Sequence, residues 1–430
     1  MLTGQYRRIF YYHLKKCGGS TLNRWLDTLT ADERAFNAVW KGMTVFETSS
    51  DGTQWGERII PSFAKSAFHW SDVVHSHAPL HVYAPENTFC FTVLRDPVQR
   101  LLSQISDCRR LSDADTADHP PELREFFEDS RRLPLKDFLD KHAQRGGFGF
   151  LDNYMTRALA AGHIGNRLDE VRDADRLREV ALRSLETDYD FVGLTDDMDL
   201  SRNVVCAMVG LPPARKIPTI NVSRVGGHPE VELHGLDDVL NRLTHVDRVI
   251  YDRARQLFFS RHRVTAETYD TAAFETQHAA RLLGEARGLS YEGVTRYSVR
   301  MPIVGSGFHG RDGSGMSSCA VWSGPETRTT LYIPTPRNMR LSLLVWIRGY
   351  VDGGQRGQLR VRVGGKPVAH NFELANGYAD VLTVDTCTEK SFVRLEIDID
   401  ETLESGEPGT DLHDSRPRGF AFDSYGWRPI

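Results

Sequence analysis

Phe10-Tyr-Tyr-His-Leu-Lys-Lys-Cys-Gly-Gly-Ser-Thr21 is the stretch that decides how this chain is to be read. An apolar run from Tyr6 to Leu14 stops at two lysines and two glycines, and the hydroxyl pair Ser20 and Thr21 follows. Beyond it Leu22, Trp25, Leu26 and Leu29 recur at helical spacing. Strand, glycine turn and helix N-terminus in that order make an anion cradle. Free backbone N–H groups and the positive end of the helix dipole converge where a phosphate can sit. Lysine is scarce, nine in 430 residues, which makes the adjacent Lys15 and Lys16 notable at this turn. A nucleoside-triphosphatase loop carries its lysine between the second glycine and the hydroxyl residue. Here both lysines precede Gly18 and Gly19, and a tight turn with solvated lysines is the alternative reading.

Working outward, the next informative stretch is Thr92-Val-Leu-Arg-Asp-Pro-Val-Gln-Arg-Leu-Leu-Ser103. A buried strand ends at Arg95, Asp96 suits a helix N-cap, and Pro97 suits the first helical position. Val98, Leu101, Leu102 and Ile105 turn inward, leaving Arg100 and Ser103 one turn apart on the other side. Arg95 either offers its planar fork to a phosphate or pairs with a surface carboxylate. Between the two stretches lies Val73-Val-His75-Ser-His77-Ala78. Residues two apart on a strand project the same way, here at the edge where open α/β sheets bind ligands. Histidine suits a general base near neutral pH. Core histidines or two metal ligands would fit the same pair, though no further spaced ligands accompany it.

Lys15-Lys16-Cys17-Gly18-Gly19-Ser20-Thr21 resembles the first motif of the sulfotransferases that use 3′-phosphoadenosine 5′-phosphosulfate (PAPS). The resemblance is closest to their carbohydrate-modifying branch, which includes the uronosyl 2-O-sulfotransferases. It implies that Lys16 takes the position of the catalytic lysine, with Lys15 in place of a proline and Cys17 in place of a hydroxyl residue. Arg-Asp-Pro-x-x-Arg-x-x-Ser resembles the second motif, implying that Arg95 and Ser103 grip the 3′-phosphate of the nucleotide. A similar His-x-His occurs in the uronosyl enzymes, which implies His77 as the base, with His75 second and orienting the acceptor. Asn153-Tyr-Met-Thr-Arg157 is similar to a helix motif near the acceptor, and Phe191–Thr195 with Asp196 and Asp197 to a strand and turn after it. Asn221-Val-Ser223-Arg224 resembles the loop that closes over the nucleotide. The resemblance covers about residues 6–260 and implies PAPS as co-substrate, its 3′,5′-bisphosphate (PAP) as product, a carbohydrate or glycolipid acceptor, and no metal.

A net charge of −5 without a basic run or face gives no support for a nucleic-acid or anionic-membrane partner. The six cysteines are scattered without a CxxC, which argues against a zinc knuckle or disulfide framework and fits a reducing compartment. Neither a membrane span nor a signal-peptide apolar region is found. Eukaryotic carbohydrate sulfotransferases are Golgi membrane proteins, so a chain that begins at Met1 with no anchor is expected to be bacterial and cytoplasmic.

The length is long for one core and suggests two domains, with three as the alternative. Residues 1–263 alternate apolar runs with helical patterns, predicting an α/β fold with a P-loop-like parallel sheet flanked by helices, the sulfotransferase fold. Its strands are expected at Arg8–Leu14, Asp72–His77, Thr88–Leu94 and Phe191–Leu194, with a long helix near Leu236–Phe259. Asp107–Leu133 reads as a mobile helical insertion, and residues 264–296 as a helical linker. From residue 297 to 430 short strands separated by glycine turns predict a jelly-roll-like β-sandwich, an accessory domain in which Trp322 or Trp346 either stacks on a sugar or packs internally. The expectation is a PAPS-dependent carbohydrate O-sulfotransferase. An ATP-dependent kinase and a non-catalytic glycan-binding protein with a degenerate nucleotide site are the alternatives.

Overall fold

The computed structural model describes residues 5–27, 29, 35–37, 44–48, 55–59, 61–117, 119, 121–144, 149–164, 173–213, 235–312, 319–374, 377–405 and 414–430. The chain opens with β1 (Arg8–Tyr12) and α1 (Gly19–Asp27), then β2 (Ala35–Asn37), a hairpin of β3 (Thr44–Thr48) and β4 (Trp55–Ile59), α2 (Pro61–Trp70), β5 (Val73–Ser76) and β6 (Thr88–Leu94). Four helices follow: α3 (Pro97–Arg110), α4 (Asp113–Thr116), α5 (Pro121–Arg132) and α6 (Leu135–Gln144). Next come α7 (Tyr154–Ile164), α8 (Ala174–Thr187), β7 (Phe191–Leu194), α9 (Met198–Val209) and the long α10 (Asp237–Thr268).

Five strands form one parallel sheet in the order β2-β5-β1-β6-β7. Every residue of β6 is buried, as its unbroken apolar run requires when both faces are covered. In the register, Tyr12 stands level with Ser76 on one side and Thr92 on the other. The bends that leave β1, β5 and β6 therefore meet at one edge. The chain next adds strands on one side of β1 through β2 and β5, then on the other through β6 and β7, so this edge is a topological switch point. The four strands expected from the sequence are present.

The segment expected as a mobile insertion is helical and carries a core of its own. Phe126 and Phe138 are fully buried there with Leu101, Leu123 and Leu240, which fixes α3, α5 and α6 against α10. The helical spacing of Leu123, Phe126 and Phe127 inside a charged stretch is the physical reason.

The C-terminal region is antiparallel and β-rich. Two sheets share one apolar core, with Leu331, Ile333, Leu395 and Ile397 from one and Leu343, Val345, Leu382 and Phe422 from the other. The strand Phe420–Pro429, which the sequence did not suggest, runs beside Met339–Tyr350 within the larger sheet. Its buried Asp423 is matched by Arg296 and Arg348. The two regions are packed together: Tyr332 and Phe392 join the α/β core, Phe274 meets Tyr332 at 4.9 Å, and Glu275 accepts from Lys390 and Arg394, each at 2.6 Å. An arginine lies over each candidate sugar-stacking ring, Arg418 on Trp322 and Arg296 on Trp346, both at 4.5 Å. Trp346 is besides only 8% exposed. Trp346 is a packing aromatic.

Candidate active site

The bend after β1 is built from strained backbone and close approach. Lys16 takes φ 67° and Gly18 φ 77°, the left-handed region that a side chain makes costly and glycine does not. A Cβ on Gly18 would stand 2.7 Å from Met198 Cε, and one on Gly19 would stand 1.7 Å from Nε2 of His13. Glycine is required at both places. Gly19 begins α1, so the unpaired N–H groups of that first turn open onto the sheet edge. Ser20 and Thr21 lie in this turn. Cys17 is fully buried and its thiol contacts the Lys15 carbonyl at 3.8 Å. Burial pushes this thiol up to about 12, against the pull of Arg100 and Arg95, so it is an inert thiol rather than a nucleophile.

The second stretch meets the first. Asp96 caps α3 by accepting from the Gln99 N–H at 2.9 Å, and the Arg95 guanidinium donates to the Lys16 carbonyl at 3.3 Å. That hydrogen bond secures the strained lysine. From the other direction the Lys16 ammonium reaches Asp107 on α3 at 3.0 Å. Asp107 lies one turn beyond Ser103, which places Ser103 on the helix face toward the bend. Burial pushes the Asp107 carboxyl up, but Lys16 and Arg110 together outweigh it and hold it below the ordinary value. With side-chain exposures of 22% and 42%, the Lys16–Asp107 pair is worth about 0–1 kcal/mol.

Three histidines, not two, gather beside the bend. His75 is buried on β5, level with Tyr11, and His77 lies just past the end of the strand. His13, absent from the sequence-based set, packs tilted against His77 with ring centroids 4.2 Å apart. Nδ1 of His77 lies 2.5 Å from the His13 carbonyl oxygen. A carbonyl only accepts, so Nδ1 carries the proton and Nε2 keeps its lone pair. Burial, reinforced by the nearby Lys15, lowers His77 to about 3. Burial likewise drives His13 well below its usual value, with His77 and His75 adding to it. Both rings are neutral at physiological pH.

Support comes from the Asn153–Arg157 stretch, from Arg100, and from Asp247, which the sequence did not single out. The Tyr154 hydroxyl accepts from the Lys15 N–H at 3.1 Å, anchoring the bend to α7. Asn153 takes φ 46° and its side-chain oxygen accepts from the N–H groups of Val246 and Asp247. Asp247 in turn accepts from Thr156 N–H and hydroxyl, both at 2.7 Å. Arg100, expected on the outer side of α3, is instead 1% exposed. It donates to the Phe150 carbonyl at 2.6 Å and lies 4.7 Å over the Tyr154 ring. Burial lowers its guanidinium below the ordinary value, with Asp247 opposing. The structure thus joins Lys15, Lys16, Cys17, Gly18, Gly19, Arg95, His75 and His77 at one sheet edge, with Ser20, Thr21 and Ser103 on the helices that flank it. Asn221, Ser223 and Arg224 lie outside the described residues.

The sequence profile of the sulfotransferase family matches residues 1–259. No curated protein matches the chain. Among solved structures it is similar to a family 35 carbohydrate-binding module from Clostridium thermocellum, with 10% identity and a TM-score of 0.18 over 34% of this chain and 100% of that one. It is also similar to a cycloisomaltooligosaccharide glucanotransferase from Paenibacillus sp. complexed with cycloisomaltoheptaose, at 11% identity and a TM-score of 0.21 over 98% of this chain and 57% of that one. A third is a GH115 4-O-methyl-α-glucuronidase with specificity for decorated arabinogalactans, at 11% identity and a TM-score of 0.20 over 98% and 55%. The chain spans a little over half the length of the two enzymes. At these TM-scores the likenesses carry no argument. Among the described residues, no helix is long and apolar enough to cross a membrane.

Proposed function

We propose, from the premise that the chain belongs to the sulfotransferase family, that it moves the sulfuryl group of PAPS to a hydroxyl of a carbohydrate or glycolipid. The observation that carries this reading is the hydrogen bond from Arg95 to the Lys16 carbonyl, which supports a single pocket shared by the two phosphate-binding motifs. In this reading residues 1–263 are the transferase domain, 264–296 a linker, and 297–430 a jelly-roll-like accessory domain.

The N–H groups of the glycine bend and the first turn of α1 hold the 5′-phosphate side of the donor. Arg95 and Ser103 hold the 3′-phosphate and so fix the direction of the sulfuryl group. Nε2 of His77 takes the acceptor proton as the acceptor oxygen bonds to sulfur and the bond from sulfur to the bridging phosphate oxygen breaks. Negative charge builds on that departing oxygen, and Lys16, released from Asp107, stabilises it. His75 and His13 position His77. Asn221, Ser223 and Arg224 are assigned to nucleotide binding on the family resemblance. None of these roles calls for a metal ion.

Transfer of radiolabelled sulfate from PAPS to cell-envelope glycans is the test. Label in a glycan fraction supports the reading, and label absent from every fraction while PAP binds counts against a carbohydrate acceptor.

A further inference from the structure

Away from the glycine bend, three side chains from three separate elements converge. Among the described residues, His81, His163 and Asp188 each bring one ligating atom to within 4.8 Å of the others. His81 lies in the short turn Leu80–Tyr83 between β5 and β6. His163 sits in the last turn of α7, and Asp188 ends α8. Nε2 of His163 at 2.6 Å and Nε2 of His81 at 3.6 Å face the same oxygen, Asp188 Oδ2. The His81 side chain is 5% exposed, and its Nε2 has no hydrogen-bond partner. A buried ring nitrogen left unpartnered is unfavourable, and this one is aimed at a carboxylate and a second imidazole.

We propose that His81, His163 and Asp188 bind one divalent transition ion of the zinc class, with water completing the coordination. Two imidazoles and a carboxylate are a donor set such ions take. Ligand atoms about 2.1 Å from a tetrahedral ion stand about 3.4 Å apart, a spacing bracketed by the 2.6 Å and 3.6 Å separations seen here. His163, with a side chain 38% exposed, has room to turn onto the ion. Nδ1 of His81 lies 3.4 Å from the Tyr189 hydroxyl. With that nitrogen donating to the hydroxyl oxygen, the lone pair stays on Nε2, the tautomer a metal requires.

The ion acts as a brace and not in catalysis. Asp188 precedes β7, at the end of the parallel sheet opposite the glycine bend. Tyr154, which binds the Lys15 N–H, and His163 lie near opposite ends of the 11-residue α7, about 16 Å long. The ion would tie the β5–β6 connection to the ends of α7 and α8.

The experiment uses the full chain without an oligohistidine tag, stripped with EDTA and titrated with zinc chloride and, separately, cobalt chloride. One ion per chain, a raised thermal midpoint and the visible absorption of tetrahedral cobalt are expected. His163→Ala and Asp188→Asn each alter a ligand and should weaken zinc binding by at least the roughly ten- to hundredfold that loss of an outer-shell partner alone costs. Because the His163 ring is partly exposed, that variant keeps its fold without metal, as far-UV circular dichroism will show. Failure of the stripped chain to bind either ion overturns the proposal. So does undiminished binding in both variants, which would assign the ion to other histidines or cysteines.

Discussion

His77 donates through Nδ1 to the carbonyl oxygen of His13 at 2.5 Å, and this one contact settles which ring nitrogen is free to accept a proton. The ring is neutral before any substrate arrives, with Nε2 available, and in the proposed reaction it is the base. In His77→Ala, PAP binding should persist while sulfate transfer falls by about 10²–10⁴-fold. Parallel calorimetry and label-transfer assays check this, and full activity in the variant removes His77 from the mechanism.

Lys16 pairs with Asp107, and in the proposed reaction it is needed on the departing oxygen only as charge develops. Lys16→Ala should therefore lower turnover by about 10²–10³-fold while changing PAP affinity far less. Asp107→Asn, which frees the ammonium from a half-exposed pair, should tighten PAP binding by no more than about fivefold. Steady-state kinetics beside equilibrium binding separates the two effects.

Gly19 is where helix and histidine come closest. Gly19→Ala would set a methyl 1.7 Å from His13 Nε2, forcing the ring away from His77. Such crowding destabilises by about 1–3 kcal/mol. Denaturant unfolding should show that loss, and PAP binding should weaken with it.

The buried histidines set a pH dependence of stability. His77 is lowered from 6.5 to about 3 in the fold, so between these values the unfolded chain binds the proton and the folded chain does not. Stability then rises with pH. This contribution is complete above about pH 6.5 and is lost progressively as the pH falls toward 3. His13, shifted the same way, steepens the loss. Unfolding free energies measured across that range should fall less steeply in His77→Asn than in the unaltered chain.

Much of the fold was legible because both key stretches pair an apolar strand with local punctuation. Thr88–Leu94 and Phe191–Leu194 are strands over the residues the sequence marks, and Asp96 caps α3 as its position before Pro97 implies. What escaped notice depends on contacts far apart in the chain. Tyr154 falls in the Asn153–Arg157 stretch that the sequence marks, but it reaches Lys15 across 139 positions, and nothing local names that partner. His13 reads as part of an apolar run, and its importance comes from β5 ending beside it. Arg100 follows the polar face of its helix in spacing, yet α7 and α10 bury it. Phe420–Pro429 hides its strand character behind Asp423 and Ser424, polar residues that are buried because arginines on neighbouring strands meet them.

The most direct test of the shared pocket compares the affinities of PAP and ADP in the unaltered chain and in Arg95→Ala. One charge-assisted contact to a phosphate contributes about 1.5–3 kcal/mol, so the unaltered chain should prefer PAP by roughly 10- to 150-fold and the variant should lose that preference. Equal affinities in the unaltered chain, or a preference that survives removal of Arg95, would contradict the account.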